Sequence, residues 1–188
     1  MDATAWAPHG AALRDYLNGD TGAEVIVRDE TGEAECVPAQ VFFRGPGEFS
    51  ALEDVALDLC GGRVLDVGAG AGSHSLALQD RGLSVVALDL AEEAVEVMRR
   101  RGVHDAHRGD IFNWDGEEFD TLLLLMNGVG VVGTLEGLDR FFQVAQRLLA
   151  PGGQILLDSY DMRDVEPAGG AADSPAHAGR RYVGEMRF

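Results

Sequence analysis

The stretch Arg63-Val-Leu-Asp-Val-Gly-Ala-Gly-Ala-Gly72 decides the fold of this chain. Its apolar residues predict a short buried strand, which leads into glycines at alternate positions, Gly68, Gly70 and Gly72. The segment Ser73–Leu78 is typical of the start of a helix. Glycines permit a tight turn and a close approach of ligand to backbone, and a helix N-terminus offers unpaired N–H groups. Strand, glycine turn and helix together predict a nucleotide-binding turn.

The residues around this turn indicate which nucleotide it holds. In the Rossmann-type dinucleotide fingerprint, the sixth position is glycine or alanine, but counting from Gly68 places Ser73 there. Asp66 lies at the C-terminal end of the strand, where a carboxylate would repel a pyrophosphate and would attract an ammonium group. The aminoacyl part of S-adenosylmethionine carries an ammonium group next to a sulfonium. We therefore expect S-adenosylmethionine rather than a dinucleotide.

A second carboxylate follows at the expected spacing. The apolar segment Leu83–Asp89 predicts a second strand, and Asp89 lies 21 residues beyond Gly68, close to the roughly 20 residues typical of an acid that binds ribose hydroxyls. The alternative is that Asp89 caps the helix predicted over Glu92–Arg101. The first interpretation predicts that both carboxylates face one ligand.

Five segments of the chain resemble, in order and spacing, the successive motifs of Rossmann-like (class I) S-adenosylmethionine-dependent methyltransferases. They are Val64–Leu78, Val85–Arg101, Gly109–Ile111, Phe119–Gly130 and Leu148–Asp158. The resemblance covers roughly residues 50–160. It implies an α/β fold with a doubly wound, mostly parallel sheet and helices on both faces. It also implies S-adenosyl-L-methionine as cofactor and methyl transfer as the reaction.

The resemblance also assigns roles to individual residues. Asp110 is expected to bind the adenine amino group, with Ile111 against the ring, and Arg44 is expected to reach the methionine carboxylate. Asp110 as an ordinary turn residue and Arg44 as a surface arginine beside core aromatics remain the alternatives. The cofactor-binding residues predicted in full are Arg44, Asp66, Gly68, Ala69, Gly70, Gly72, Asp89, Leu90, Asp110, Ile111, Met126 and Asn127.

The catalytic residues remain open at this stage. His74, Tyr160 and Asp161 lie close to the predicted strand ends and are candidate bases, although His74 also fits as a residue of the first helical turn. The chain lacks the Asn/Asp-Pro-Pro-aromatic signature with which amino-methylating nucleic-acid enzymes hold a flipped base. A small-molecule acceptor is therefore expected. The alternatives are an NAD(P)-dependent oxidoreductase, or a cofactor-binding module or truncated fragment without turnover.

Composition narrows the function further. The chain has 188 residues, 46% of them hydrophobic, and a net charge of −17, and all fifteen of its basic residues are arginine. This charge disfavours nucleic acid as a partner and suggests adaptation to high salt.

Neither a membrane span nor a signal peptide is predicted, so we expect a cytoplasmic protein without membrane partners. Cys36 and Cys60 predict no disulfide framework, and no metal-ligand spacing involves His9, His104, His107 or His177. The oligomeric state stays open, a homodimer being one option.

Three regions are expected along the chain. Residues 1–49 form an N-terminal cap or lid with a helix over Ala11–Leu17, a hairpin of Glu24–Arg28 with Ala34–Val37, and an exposed aromatic loop at Phe42–Arg44 that is expected to close over the site. Residues 50–165 form the cofactor-binding core. Its predicted strands lie at 63–67, 84–89, near 104–108, at 119–126 and at 154–159. Ser50-Ala-Leu-Glu53 is a capping-box sequence that starts a helix through Cys60, and further helices cover 73–81, 91–101 and 135–149. Residues 166–188 form a linker (Glu166–Gly179) and an edge strand (Arg181–Phe188), so the C-terminal edge hairpin typical of the family is expected to be incomplete.

Overall fold

The core of the molecule is a five-stranded parallel sheet in the order β5-β4-β3-β6-β7. The structure, a computed structural model, describes residues 3–28 and 34–159. The strands are β3 (Arg63–Val67), β4 (Ser84–Asp89), β5 (Ala106–Arg108), β6 (Phe119–Leu124) and β7 (Leu149–Leu157). All neighbours pair in parallel, which confirms the predicted doubly wound sheet. The linker, the C-terminal strand, Tyr160 and Asp161 of the sequence predictions lie outside the described residues.

The strand order places a crevice at the carboxyl ends of β3 and β6. From β3 the chain moves outward to β4 and β5, and then returns to the other side of β3 as β6. In open α/β sheets, the point where the order reverses is where ligands bind. The loops after β3 and β6 therefore form the candidate site.

Alternate residues of the strands point to opposite faces of the sheet, and each face is covered by helices. Leu65, Leu122 and Leu124 pack with residues of α5 (Leu135–Leu148), whereas Val64 and Leu123 pack with α2 (Ala51–Leu59) and α3 (Ser73–Asp80). Full burial of each such side chain stabilises the fold by about 1.5–3 kcal/mol. The prediction of helices on both faces is confirmed.

Two helices of the core begin where the sequence places their caps. Ser50 and Glu53 form the predicted capping box of α2, since the Ser50 Oγ accepts from the Glu53 N–H and the Glu53 carboxylate accepts from the Ser50 N–H. Thr134 accepts a hydrogen bond from the Gly137 N–H at the start of α5. The remaining core helix, α4, spans Glu92–Arg101.

The N-terminal segment forms a cap on α4. Its helix α1 (Ala7–Leu17) starts four residues earlier than predicted, because Pro8 is tolerated in a first helical turn. A β-carbon on Gly10 would lie 3.0 Å from the Cβ of Ala91, so this glycine lets α1 approach the start of α4 closely. The predicted hairpin is confirmed as antiparallel β1 (Glu24–Arg28) and β2 (Ala34–Pro38). This hairpin forms a separate sheet and does not pair with β7.

Several predicted boundaries are wrong for local reasons. The aromatic residues Phe42 and Phe43 belong to a 3₁₀ helix (Ala39–Phe43) and pack against Leu13 and Val97, so they are half-buried rather than an exposed loop. Strand β6 ends at Leu124, because the backbone turns sharply two residues later. Strand β7 begins at Leu149 and contains the Pro-Gly-Gly segment, which bulges out between the pairs Phe119–Leu149 and Thr121–Gln154.

Candidate cofactor site

The glycine turn after β3 forms the floor of the site. Gly68, Gly70 and Gly72 have φ angles of 72°, 55° and 78°, a region that only glycine adopts without strain. A side chain at Gly72 would also bring its Cβ within 2.7 Å of Val103 Cγ2. The N–H groups of Gly68 and Ala69 donate to the Leu88 carbonyl at 2.8 and 3.1 Å, which ties the turn to the end of β4.

Asp89 shapes this turn from the neighbouring strand. Its Oδ2 accepts from the Gly70 N–H at 2.9 Å and its Oδ1 accepts from the Ala91 N–H at 2.9 Å. Burial raises the pKa of Asp89, and the N–H donors of Ala91 and Gly70 oppose that rise. The N-cap of α4 is Ala91, so the alternative of Asp89 as the helix cap is wrong in detail. Each carboxylate oxygen has a second lone pair. Asp89 does not line the cleft described below, and its role toward ribose hydroxyls stays a prediction.

Asp66 is the deepest acid of the site. It is 2% exposed, and its Oδ2 accepts a hydrogen bond of 2.6 Å from the Ser75 hydroxyl. Burial raises the pKa of its carboxyl group, while nearby His74 and the Ser75 hydrogen bond lower it in part. A buried carboxylate with one hydroxyl donor is a strong acceptor for a cationic ligand group.

A cleft opens above the turn between the ends of β3 and β6. Its volume is about 90 Å³, well below the roughly 300–1,000 Å³ typical of small-molecule pockets. Five predicted site residues line it, namely Asp66, Gly68, Ala69, Gly70 and Met126. The other lining residues are His9, Phe42, Ala71, Ser73, His74 and Leu125. The structure therefore brings together the turn, the buried acid and the end of β6 in one concave site.

His9 is a lining residue that sequence reasoning missed, whereas Phe42 belongs to the loop that the sequence places over the site. Both come from the N-terminal cap, and their rings meet edge to face at a centroid distance of 4.7 Å. Burial lowers the pKa of His9, and the nearby Asp89 carboxylate partly raises it. No local motif marks His9, because only the packing of α1 on α4 brings it to the glycine turn.

Arg44 lies at the edge of this site without lining the cleft. Its Nη2 donates to Glu53 Oε1 at 2.9 Å and lies 3.8 Å from Met126 Sδ. Its Nε and Nη1 donate to the carbonyls of Val41 and Glu48. The Arg44 side chain therefore forms hydrogen bonds within the protein instead of lying free on the surface, which was the alternative. Its role toward a methionine carboxylate stays a prediction.

His74 and Glu53 form a buried pair in the cleft wall. The Nε2 of His74 lies 2.9 Å from Glu53 Oε1, and its ring packs against Phe49 at a centroid distance of 5.2 Å. Burial alone would raise the pKa of Glu53, but hydrogen bonds from Ser50 and His74 and the charge of Arg44 lower it below its usual value. His74 thus lies in the first turn of α3 and also in the cleft wall, and its role as a base near the methyl donor stays a prediction.

The turn after β6 is strained at two residues. Met126 and Asn127 have φ angles of 61° and 62°, which non-glycine residues rarely adopt. The carboxylate of Asp158, at the end of β7, accepts from the N–H groups of Met126 and Gly128 at 3.0 and 2.8 Å. Backbone strain of this kind clusters at functional sites.

The predicted adenine contacts lie beside the cleft rather than in its wall. Asp110 accepts from the Phe112 N–H at 3.0 Å and caps the short 3₁₀ turn Ile111–Asn113, as its turn alternative predicts. Ile111 is 2% exposed and packs in the core against Leu65 and Leu88. Their roles toward adenine, and that of half-buried Leu90, stay predictions.

Of the three arginines at the end of α4, Arg101 contacts the glycine turn. Arg101 donates to the Ala71 carbonyl at 2.6 Å and to the Ser73 hydroxyl at 3.1 Å, and its guanidinium lies 4.8 Å from the Phe43 ring centroid. Of its two neighbours, Arg99 donates to the Ala106 carbonyl and Arg100 forms an ion pair with Glu96 of the same helix. Arg101 therefore joins the helix end, the glycine turn and the cap.

Other chemistry has little support in the part of the chain that the structure describes. Within it, no group of three or more His, Cys, Asp or Glu side chains is arranged to hold a metal ion. The helices there are all too short or too polar to cross a lipid bilayer. Cys36 and Cys60 are free thiols, and burial with the nearby Asp66 carboxylate raises the pKa of Cys60 to about 11. That thiol is therefore a poor nucleophile.

Comparison with known proteins identifies the class to which this site belongs. The family described as Methyltransferase domain matches residues 64–153. A crystal structure of a SAM-dependent methyltransferase from Bacteroides fragilis, in complex with S-adenosyl-L-homocysteine, is 40% identical in sequence with a TM-score of 0.78. The match covers 86% of this chain and 68% of that one. The chain belongs to the Rossmann-like S-adenosylmethionine-dependent methyltransferases, which confirms the predicted family and cofactor.

Two curated relatives differ in what their names say they methylate. A demethylmenaquinone methyltransferase from Clavibacter sepedonicus is 36% identical over 57% of this chain and 44% of its own length. A dTDP-4-amino-2,3,4,6-tetradeoxy-D-glucose N,N-dimethyltransferase from Saccharopolyspora spinosa is 30% identical over 65% of this chain and 50% of its own length. The chain thus spans about half the length of the curated relatives it matches.

Proposed function

We propose that this chain binds S-adenosylmethionine in the cleft between β3 and β6 and transfers its methyl group to a small-molecule acceptor. The observation that carries the proposal is the pair of buried carboxylates, Asp66 and Asp89, at the ends of adjacent parallel strands around an open glycine turn. One suits an ammonium group and the other suits ribose hydroxyls. The donor set therefore fits this cofactor better than a ligand with a pyrophosphate.

Each part of the cofactor has a predicted partner in the chain. Asp66 binds the ammonium group, Asp89 the ribose, Asp110 with Ile111 the adenine, and Arg44 the carboxylate. When bound, the cofactor supplies a methyl group made electrophilic by its sulfonium. The backbone of the glycine turn holds the ligand close because no β-carbon intervenes. The rings of His9 and Phe42 exclude water from the cleft.

The acceptor is proposed to be small and not a nucleic acid. A net charge of −17 with no lysine opposes phosphate backbones, which need basic partners. The relatives named for a quinone and for an amino sugar support a small acceptor without choosing its nucleophilic atom. The cytoplasmic location stays a prediction.

Calorimetric titration with S-adenosylhomocysteine and with NAD⁺ tests the proposal. We expect binding of S-adenosylhomocysteine only, and binding of NAD⁺ alone would support the oxidoreductase alternative instead. Asp89→Asn is expected to weaken S-adenosylhomocysteine binding by about 1–3 kcal/mol, as for a charge-assisted hydrogen bond. Asp105→Asn is the matched control, because Asp105 is exposed and pairs only with His107 in the described residues.

Turnover separates an enzyme from a binding module. Mass spectrometry of reactions that contain S-adenosylmethionine and a panel of hydroxyl- and amine-bearing small molecules should show the acceptor gaining one methyl group. Cofactor binding without transfer to any acceptor, in this chain and in a longer one, would favour the module without turnover.

A further inference from the structure

The two ring nitrogens of His74 have different surroundings. The ring lines the cleft together with Asp66, Leu125 and Met126. Its Nε2 contacts the Glu53 carboxylate at 2.9 Å, whereas no residue in 3–28 or 34–159 forms a hydrogen bond with its Nδ1. In the same residues the only fully buried side-chain nitrogen or oxygen without a partner is Nε1 of Trp114, so Nδ1 of His74, which has no partner there, keeps some exposed surface on a residue that lines the cleft.

Glu53 determines which nitrogen carries the proton. The Glu53 side chain is 5% exposed, and Arg44 and the Ser50 N–H bind the same carboxylate as His74. These donors and the charge of Arg44 keep the pKa of Glu53 low despite its burial, so it is an ionised acceptor. An ionised carboxylate accepts only, so Nε2 must donate, and the lone pair of the neutral ring then lies on Nδ1.

Two acids and one arginine surround the ring of His74. Glu53 on α2 contacts the ring directly, and the charge of Asp66 on β3 interacts with it from the cleft floor. Arg44 is the opposing cation, but it binds Glu53 rather than the ring. An acid that holds a histidine through one ring nitrogen while the other faces the reacting groups recurs in histidine-based proton transfer.

We propose that His74 accepts at Nδ1 the proton that the methyl acceptor loses, with Glu53 as its positioning residue. The inference rests on the proposed methyl transfer and deepens it. The acceptor's nucleophilic atom forms its bond to the methyl carbon as the methyl–sulfur bond breaks, and that electron pair stays on sulfur. The proton of the nucleophilic atom moves to Nδ1 and passes to water after the product leaves. The acceptor is therefore a compound whose nucleophilic oxygen or carbon loses a proton on methylation, because a neutral amine attacks without prior loss of a proton.

Two NMR readouts test the proposal without any acceptor. Long-range ¹H–¹⁵N correlation on the ¹⁵N-labelled chain gives the tautomer of each histidine, and His74→Gln assigns the His74 signals. We expect His74 as the Nε2–H tautomer with the high-frequency Nδ1 resonance of an unprotonated nitrogen. An Nδ1–H tautomer would overturn the proposal. His107→Gln is the matched control, because His107 is exposed and pairs with Asp105 at 2.6 Å away from the cleft.

The second readout is distance to the donated methyl group. A reacting atom lies about 3–3.5 Å from the methyl carbon, and about 3 Å from its base. A nuclear Overhauser cross-peak is therefore expected between [methyl-¹³C]S-adenosylmethionine and the Hε1 of His74. Absence of this cross-peak with the cofactor bound rejects the role of His74. Failure of the cofactor to bind at all instead rejects the proposed function.

Glu53→Gln separates positioning from mere packing. Its neutral amide cannot impose the Nε2–H tautomer, so the Nδ1 resonance should shift toward that of a tautomer mixture. Glu48→Gln, which alters an exposed carboxylate that accepts from the Gly45 N–H, should leave the resonance unchanged. An unshifted signal in folded Glu53→Gln would contradict the positioning role, and the wild-type tautomer and cross-peak remain decisive should that variant not fold.

Discussion

The carboxylate of Asp158 holds the backbone of Met126 in a left-handed conformation at the end of β6. Its Oδ2 accepts from the Met126 N–H at 3.0 Å, and its Oδ1 accepts from the Gly128 N–H at 2.8 Å. The strained turn is thereby fixed by a residue from the adjacent strand β7 rather than by its own sequence. Because Met126 lines the cleft, the shape of the site depends on this contact between two strand ends.

Replacing Asp158 should therefore affect both stability and ligand binding. Asp158→Ala removes two charge-assisted hydrogen bonds, and we expect the free energy of unfolding to fall by about 1.5–3 kcal/mol. The freed turn should also weaken binding of S-adenosylhomocysteine. Urea denaturation and calorimetric titration measure the two effects. Asp139→Ala on the exposed face of α5 is the control, and an equal effect of both variants would contradict the role given to Asp158.

Asp66 should show opposite effects on stability and binding. Burial raises its pKa above the unfolded value, so the folded protein loses stability as the pH rises from the unfolded pKa through the folded one. Asp66→Asn removes that cost, and its amide oxygen can still accept from Ser75. We expect a higher melting temperature at neutral pH, with a gain that shrinks toward pH 4.

The same variant should lose the proposed ammonium partner. Binding of S-adenosylhomocysteine is expected to weaken by about 1.5–3 kcal/mol, the usual contribution of a hydrogen bond to a charged group. Thermal melts from pH 4 to pH 8 and calorimetry check both statements. A variant that is less stable at neutral pH, or that binds with unchanged affinity, would show that Asp66 has a different role.

The sequence allowed the sheet and the glycine turn to be predicted, since both depend on local signals. Apolar runs, glycines at alternate positions and strand-end acids are readable within a few residues. His9 and the pairing of Glu53 with His74 were not predicted, because they depend on helix packing across 21 residues or more. Glu53 was recognised only as part of a capping box, which one oxygen fulfils while the other faces His74 and Arg44.

Arg101 should control how firmly the cap closes over the cleft. It binds the Ala71 carbonyl and stacks on Phe43, so Arg101→Met should loosen the glycine turn and the 3₁₀ helix Ala39–Phe43 together. Faster amide hydrogen exchange in both segments is the expected result. Arg100→Met is the matched control, because Arg100 is its neighbour and pairs with Glu96 within the same helix. Faster exchange in only one segment would show that Arg101 does not couple them.

Amide hydrogen exchange should also show how the narrow cleft admits the cofactor. Its volume of about 90 Å³ leaves too little room for a nucleotide-sized ligand, so His9 and Phe42 must move outward when one binds. We expect S-adenosylhomocysteine to change the exchange of α1 and of the 3₁₀ helix while the amides of β3 and β6 stay protected. Binding without any change in the cap would show that the cofactor enters from another side.

Salt should stabilise this protein because its charges repel one another. A net charge of −17 on 188 residues makes self-repulsion a destabilising term, and the Debye length shortens from about 10 Å at 0.1 M salt to about 3 Å at 1 M. We expect the melting temperature to rise from low salt to 1 M NaCl, most steeply in the first part of this range. The triple variant Asp115→Asn, Glu118→Gln, Asp139→Asn removes three exposed charges and should flatten the rise. A melting temperature independent of salt, or a variant as salt-dependent as the parent, would mean that the acidic surface does not limit stability.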